Sequence, residues 1–345
     1  MKHGIILTVF LIFQPLTLFA EFSGGTGEPD APYQIATADD LMLLGETPED
    51  YGKHFIMIAD IDLDPNLPGR KIFDKAVIAP DMDMDTGEHE GIPFAGVFDG
   101  NGHTISHLTI VGDRYLGLFG KLDSGANISN LGMEAVDVNG TGYYAGALVG
   151  YNYKGKIIES YSTGTVTGDN RIGGLVGENW HGRIASSYST ITVSGDRSVG
   201  GLVGRSLRGS IDTCFSTGTV TGTGEGVGGL VGVNIGGNII SSYNTGSVTG
   251  TDKKVGGLVG GNSFGSIISS CNTGTISGTG TAVGGLVGYI YDSSIAASYN
   301  TGTVTGISEQ VGGLVGYIWR SSITTSYSTG EVLGSIVKYW GQPLD

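Results

Sequence analysis

The sequence has few cysteines, few basic residues and no long apolar segment after its first 20 residues, and each shortage excludes a class of protein. Two cysteines in 345 residues exclude a disulfide-rich scaffold. Eighteen Lys and Arg residues against 33 Asp and Glu residues give a net charge of −15. This charge argues against nucleic acid and anionic membranes as partners, because both bind positive surfaces. No later stretch approaches the roughly 20 apolar residues of a membrane-spanning helix, so membrane insertion is not expected.

Most of the chain also lacks the apolar period of a helix, and it has instead 63 glycines, many of them in a recurring pattern. The clearest copy of the pattern is Val199-Gly-Gly-Leu-Val-Gly204. Seven leucines mark its copies, 27 or 28 residues apart: Leu148, Leu175, Leu202, Leu230, Leu258, Leu286 and Leu314. The glycine before the leucine is present in six of them: Gly174, Gly201, Gly229, Gly257, Gly285 and Gly313. A period of this length predicts a repeat architecture.

Each repeat holds three short segments rich in Val, Ile, Leu, Tyr and Thr, separated by Gly, Asn, Ser and Asp, which is the chemistry of strands and turns. A unit of 27 or 28 residues fits one coil of three strands, each pairing in parallel with its equivalent in the next coil. A propeller blade is the alternative, but its four strands usually need about 40 residues. We therefore predict an all-β fold, a parallel β-helix (β-solenoid) of 27–28-residue three-strand coils, whose handedness is left open.

Stacked coils bring equivalent residues together at about 4.8 Å. Two aliphatic columns, which begin at Ile157 and Val166, are predicted to fill the core. A third, mostly aromatic column begins at Tyr161, four residues after the isoleucine. In an unbent strand this spacing places both side chains on one face, which favours an inward or corner position. An outward column would instead be a stacking platform for glycans.

The same geometry makes predictions for cysteine and asparagine. Cys214 and Cys271 lie two coils apart, which separates them by about 9.6 Å along the axis. A disulfide needs Cα atoms within about 7 Å, so both cysteines are predicted to be free and buried. Side-chain amide ladders are predicted for one column: Asn152, Asn179, Asn234 and Asn262.

The chain divides into three regions. Residues 1–20 have the pattern of a Sec-type signal peptide, with Lys2 before an apolar run and Ala20 at its end, and they predict export. Residues 141–345 hold the seven repeats. No closing helix follows the last repeat, so the expectation is that either Tyr339 and Trp340 cover the open end or the sequence is a fragment of a longer protein.

Residues 21–140 are predicted to form an acidic N-terminal cap and irregular first coils. The segment from Glu21 to Asp137 holds 22 of the 33 acidic residues. A short helix is predicted over Asp39–Tyr51, with acidic residues at its start. Such a cap covers the first open strand edge of a solenoid, which would otherwise favour aggregation.

The recurring Gly-Leu-Val-Gly, followed by Ser-Tyr-Ser-Thr-Gly-Thr-Val-Thr-Gly, resembles the GLUG-motif repeats of bacterial secreted and surface proteins. The resemblance covers the seven repeats, and segments such as Asp60-Ile-Asp-Leu63 look like those that commonly introduce them. It implies a parallel β-helix in an adhesin-like setting. Large secreted peptidases also carry such repeats, but this sequence has neither a Gly-Asp-Ser-Gly segment nor a His-Glu-x-x-His motif.

Two sets of residues are candidates for chemistry. The alternating carboxylates Asp81, Asp83 and Asp85 are of the type that calcium prefers, which makes calcium the one cofactor candidate. The alternative is a solvated acidic loop. For catalysis the candidates are four residues near the start of the solenoid, which do not form a recognised pair: Asp99, His103, His107 and Arg114.

The sequence favours a secreted or cell-surface structural and adhesion module, a rigid rod that presents variable loops to an extracellular protein or glycan. The rod is expected to be monomeric or part of a larger surface protein. The alternative is a polysaccharide-active β-helix enzyme, a lyase or hydrolase. The loops that vary while the strands do not are residues 169–171, 196–198, 223–226, 251–254, 279–282 and 307–310.

Overall fold

A computed structural model describes residues 21–83 and 89–334, and the chain winds through them as a parallel β-solenoid. Successive coils pair strand for strand in parallel, as in Val149↔Val176↔Val203. The predicted fold class is therefore confirmed. The predicted signal peptide and the residues after Gly334 lie outside the described part of the chain.

Three sheets run along the solenoid axis. The first consists of eleven strands: Tyr33–Ile35, His54–Met57, Val97–Asp99, Asn127–Ser129, Lys156–Ile158, Arg183–Ala185, Ser210–Asp212, Asn238–Ile240, Ser266–Ile268, Ser294–Ala296 and Ser322–Thr324. The second consists of seven: Tyr143–Ala145, Asn170–Gly173, Arg197–Gly200, Val227–Gly228, Val255–Gly256, Val283–Gly284 and Val311–Gly312. The third consists of eight: Phe119–Leu122, Val149–Tyr153, Val176–Trp180, Val203–Leu207, Val231–Ile235, Val259–Ser263, Val287–Tyr291 and Val315–Trp319.

The remaining strands form two parallel ladders that the long strands Gly132–Gly140 and Tyr161–Thr167 join. One ladder includes Ile61–Asp62, Thr104–Ser106, Tyr188–Ser189, Phe215–Ser216, Tyr243–Asn244, Cys271–Asn272, Tyr299–Asn300 and Tyr327–Ser328. The other includes Thr109–Gly112, Thr192–Gly195, Val220–Gly222, Val248–Gly250, Ile276–Gly278, Val304–Gly306 and Val332–Gly334.

In the described part of the predicted cap there is one α-helix, α1, over Ala38–Glu46, and a 3₁₀ turn over Pro48–Asp50. Thr37 caps α1 by accepting a hydrogen bond from the Asp40 amide, and Asp40 in turn bonds the Thr37 amide. The helix is shorter than the predicted Asp39–Tyr51, because proline disfavours helical geometry in the residue before it. Among the described residues, no helix is long and apolar enough to cross a membrane.

From Asn170 onward each full coil contains five short strands, not the predicted three. In the unit that starts at Asn170 these are Asn170–Gly173, Val176–Trp180, Arg183–Ala185, Tyr188–Ser189 and Thr192–Gly195. The predicted segments bend because corner residues such as His181 and Ser186 adopt left-handed geometry, with φ of 53° and 49°. The bends let a short sequence enclose a core.

The favoured position of the aromatic column was inward or at a corner, and the inward one is wrong, because the rings lie half-buried or exposed at the surface just after a corner. Ser186 bends the chain between Ile184, which is buried, and Tyr188, which is half-buried, and the assumption of an unbent strand therefore fails. The rings of one stretch stack with centroids 4.6–5.0 Å apart and planes within 3°: Tyr161, Tyr188, Phe215 and Tyr243. Each ring covers its neighbour's face, so this aromatic ladder presents ring edges to solvent.

The two aliphatic columns pair in register and fill the core, as predicted. Ile157 pairs with Ile184, and Val166 pairs with Val193. The motif glycines are required for close approach and not for positive φ. A Cβ on Gly229 would lie 2.1 Å from the Gly257 carbonyl oxygen. Many corners are instead formed by residues other than glycine.

The polar interior also forms ladders. Asn152 donates to Asn179 at 2.8 Å, and Asn234 donates to Asn262 at 2.7 Å, which confirms the predicted amide ladders. Both cysteines are free, as predicted. Cys214 is buried, and this burial raises the pKa of its thiol to about 12. Cys271 is only half-buried, because its position belongs to the aromatic column at the surface.

Candidate functional site

The acidic segment predicted to bind calcium, at Asp81 and Asp83, is hydrogen-bonded to an arginine. The Arg114 Nε donates to the buried carboxylate of Asp81 at 2.8 Å, and its Nη2 donates to the main-chain carbonyl of Asp83. Asp85 lies outside the described residues. Within residues 21–83 and 89–334, no three His, Cys, Asp or Glu side chains are grouped to hold a metal. Calcium stays a prediction, and an ion bound to Asp81 would compete with Arg114.

The four candidates for catalysis are tied to separate partners. Asp99 accepts hydrogen bonds from the Asn101 amide and from Asn130, which stabilises a turn. His103 and His107 pair with Asp60 and Asp62 at 3.0 and 2.8 Å. Arg114 pairs with Asp81, as described above. None of these four side chains lines the cleft beside α1 or the clefts along the third sheet.

A groove of variable side chains instead follows the third sheet along the axis. Its first wall, the strand column, begins at Lys121 and continues three residues after each marker leucine, at Tyr151, Glu178, Arg205, Val233, Gly261, Tyr289 and Tyr317. Its second wall, the corner column, includes Tyr115, Tyr144, Arg171, Ser198, Gly226, Lys254, Ala282 and Gln310. Positive φ at most corner-column positions forms the corner between the second and third sheets. We call the space between the two columns the axial groove.

The axial groove widens into three clefts in series. The first has a volume of about 560 Å³ and surrounds Glu178. The second, of about 320 Å³, shares Arg171 and Arg205 with the first. The third, of about 310 Å³, shares Lys254 with the second and reaches Tyr317. A linear ligand laid along the axis would contact all three.

The first cleft, here the Glu178 cleft, has an ionic floor. The Glu178 carboxylate is buried, with its side chain 1% exposed, and lies between two guanidinium groups. Arg171 Nε is 3.1 Å from Glu178 Oε2, and Arg205 Nη1 is 3.7 Å from Oε1. The first contact is close but not aligned as a hydrogen bond, so Oε2 has no hydrogen-bond donor among the described residues. Burial raises the pKa of Glu178, and the two guanidiniums act in the opposite direction.

The walls of the Glu178 cleft are aromatic. Tyr115 and Tyr144 stack with ring centroids 4.6 Å apart, and Tyr151 meets Tyr144 edge-on at 5.4 Å. Trp180 lies beside Tyr151 at 6.4 Å. Arg171 donates a hydrogen bond to the Tyr144 hydroxyl. Burial raises the pKa of Tyr115 and Tyr151, so these phenols stay neutral and keep both donor and acceptor capacity.

Sequence reasoning found only part of this site. The variable loops end at the corner column, with Arg171 and Lys254 at two of the ends. The strand column was not predicted, because its residues vary inside a motif that is otherwise constant, and this variation was not recognised as a binding signal. The available signal was that this position changes from Tyr151 to Glu178 to Arg205 while the leucine three residues earlier never changes.

Comparison with known families finds the family described as "The GLUG motif". It matches five segments: residues 141–167, 168–194, 195–221, 279–305 and 307–333. Between residues 222 and 278 the strand ladders continue in the same register. The repeats recognised from their sequence are therefore also repeats of the structure.

Two curated relatives match part of the chain. Halomucin of Haloquadratum walsbyi, an archaeal protein, is 32% identical over 155 residues, which cover 43% of this chain and 2% of halomucin. A protein named as a Gly-rich membrane protein of Evansella cellulosilytica is 34% identical over 145 residues, which cover 38% of this chain and 14% of that protein. The chain thus spans a small part of the length of both relatives.

Two solved structures are similar at lower identity. One, from Bacteroides ovatus, is named for an immunoglobulin A1 protease; it is 19% identical, with a TM-score of 0.45 over 91% of this chain and 80% of that one. The other is the A-module of the mannuronan C-5 epimerase AlgE4 of Azotobacter vinelandii, 10% identical, with a TM-score of 0.27 over 91% and 96%. Both scores are below 0.5, and the fold assignment rests on the strand pairing of this chain alone.

Proposed function

We propose that this chain, a GLUG-repeat protein with a β-solenoid fold, is a secreted or cell-surface adhesion module, a rigid rod that binds a glycan in its axial groove. The axial groove carries this proposal, since it combines aromatic and charged side chains in connected clefts along one face. Glycan sites need both kinds of group, because sugar rings have apolar C–H faces and polar hydroxyl edges. The predicted signal peptide at residues 1–20 supports export.

The rigidity of the scaffold supports binding by a preformed site. The strand column is fixed by parallel ladders, and the Asn152–Asn179 amide ladder lies directly after it in the same strands. Side chains that are already ordered lose little conformational entropy when a ligand binds. A groove held in this way can bind an extended polymer without rearrangement.

The test measures, by affinity electrophoresis, the binding of the purified chain to a panel of neutral and acidic polysaccharides. Trp180→Ala removes one of the aromatic side chains that line the Glu178 cleft, and we expect it to weaken polysaccharide binding by about tenfold. The matched control is Tyr243→Ala, which removes an exposed aromatic side chain from the ladder outside the groove. The control should bind as the wild type does.

Two results would contradict the proposal. Binding lost in Tyr243→Ala and kept in Trp180→Ala would place the glycan site on the aromatic ladder. New reducing ends or unsaturated products from any polysaccharide would favour the enzyme, a lyase or hydrolase, over the adhesion module.

A further inference from the structure

Resting on the binding function proposed above, we infer that the Glu178 cleft binds an acidic sugar unit, a uronate, of a linear polysaccharide. The Arg205 guanidinium binds the sugar carboxylate, Glu178 accepts a sugar hydroxyl, and the aromatic wall packs against the ring. Four observations carry this assignment: the local charge, the free donors of Arg205, the unfilled acceptor on Glu178 and the spacing of the coils.

Positive charge gathers in the axial groove although the chain as a whole is acidic. Residues 141–334 contain ten basic and ten acidic residues. Half of these basic residues line the groove: Arg171, Arg197, Arg205, Lys253 and Lys254. Lys121 adds another at the Glu178 cleft. Three acidic residues also border the clefts, Asp123, Glu178 and Glu225, and Glu225 pairs with Lys254. Six basic residues against three acidic ones leave the groove with a positive balance, which favours an anionic polymer.

Arg205 is positioned to bind a carboxylate. One carboxylate, Glu178, faces two guanidiniums, so the cluster keeps one excess positive charge. The Arg205 contact to Glu178 is long, at 3.7 Å, and among the described residues no acceptor is hydrogen-bonded to its guanidinium. A guanidinium with free N–H groups matches the two oxygens of a carboxylate in a fork.

Glu178 and the aromatic wall account for the rest of a sugar ring. Glu178 Oε2 is buried and lacks a hydrogen-bond donor, although it borders the cleft. A sugar hydroxyl would supply that donor, and a buried acceptor without one is unfavourable. Tyr151 and Trp180 are half-buried and border the same cleft, where they can cover the apolar face of the ring.

The spacing of the coils fits a polymer. Each coil adds one strand-column and one corner-column residue, and neighbouring coils lie about 4.8 Å apart. A pyranose unit in an extended polysaccharide advances by about the same distance. Successive sugar units would therefore contact successive coils. A cationic residue lies at each junction between clefts, Arg205 between the first and second and Lys254 between the second and third.

The test uses polygalacturonate and hyaluronan, each beside a carboxyl-reduced form in which the uronate has become a neutral sugar. Isothermal titration calorimetry with the full chain should show at least about tenfold tighter binding of an acidic polymer than of its reduced form. Arg205→Gln keeps a polar side chain but removes the guanidinium and its charge, and it should abolish this preference. The control Arg183→Gln changes an exposed arginine on the first sheet and should leave it unchanged. Thermal melting checks that all variants are folded.

The outcomes separate this inference from the proposed function. Equal binding of acidic and reduced polymers, weakened by Trp180→Ala, would overturn the uronate assignment and leave glycan binding in the groove intact. A preference for acidic polymers that survives Arg205→Gln would also overturn it, because the carboxylate would then bind elsewhere. Failure of every polysaccharide in the panel to bind would overturn both proposals.

Discussion

Two outer faces of the solenoid use the same backbone in opposite ways. On the aromatic ladder, like stacks on like, and Tyr188 lies between Tyr161 and Phe215 with all three rings nearly parallel. On the axial groove, the equivalent position of successive coils changes from Tyr151 to Glu178. In the ladder the faces of the rings pack against each other, whereas in the groove charged groups and aromatic rings remain accessible to a ligand.

The difference shows how a repeat protein separates stability from binding. Repetition lets each residue form its contacts with its own equivalents in the neighbouring coils, and solenoid stability is close to a sum of such neighbour terms. A varied position gains little from that stacking, so it is free to carry a polar cluster such as Glu178 with Arg171 and Arg205. Both faces depend on the same close-packed corners.

The largest expected effect comes from Gly229→Ala, which should damage both faces at once. The added Cβ would lie 2.1 Å from the Gly257 carbonyl oxygen and 2.3 Å from Asn244 Cγ, so two coils must separate. We expect a loss of about 3 kcal/mol or more in the free energy of unfolding, at the upper end of overpacking effects. Chemical denaturation followed by circular dichroism measures it.

The matched control is Gly52→Ala, because a Cβ there meets nothing within 4 Å. It should change stability by less than about 0.5 kcal/mol. Equal unfolding midpoints for the two alanine variants would show that the motif glycines are not required for close approach.

A smaller effect tests the ladder alone. Tyr188→Ala removes two stacked contacts, with centroid distances of 5.0 and 4.6 Å, and should cost about 1 to 2 kcal/mol while leaving polysaccharide binding unchanged. Tyr188→Phe keeps the ring and should be nearly neutral. The measurement pairs thermal melting with affinity electrophoresis. A loss of binding in Tyr188→Ala with unchanged melting would reverse the roles assigned to the two faces.

The fold could be predicted because its determinants are periodic. The isoleucine column from Ile157 to Ile184 pairs as the repeat spacing predicts, and so does the amide ladder from Asn152 to Asn179. The outward turn of Tyr188 could not be predicted from spacing, because it depends on the left-handed conformation of Ser186, which serine adopts only in context.

The site was less predictable, because binding residues are those that break the period. Arg171 stands out as the end of a variable loop, but Glu178 lies inside a constant motif. Its environment depends on Arg205, a full coil away in sequence, and the stacking register alone brings the two together. A search for positions that vary within an otherwise constant repeat would have found the strand column.

The smallest expected effect is a pH dependence that belongs to the groove face, and it isolates the cost of the buried charge on Glu178. Burial raises the pKa of this carboxyl above its ordinary value of 4.5, so the folded chain keeps a proton at pH values where the unfolded chain has released it. Rising pH in that window favours the unfolded state. The contribution of Glu178 to wild-type stability should therefore fall as the pH rises from about 4.5 to the raised pKa and level off above it. Glu178→Gln cannot titrate, so its stability relative to the wild type should rise over the same window.

Melting temperatures between about pH 4 and 8 measure this difference in stability, with Glu159→Gln, at an exposed glutamate, as the control. A relative stability that falls with pH would mean that Arg171 and Arg205 outweigh burial, and that the cluster stabilises the fold.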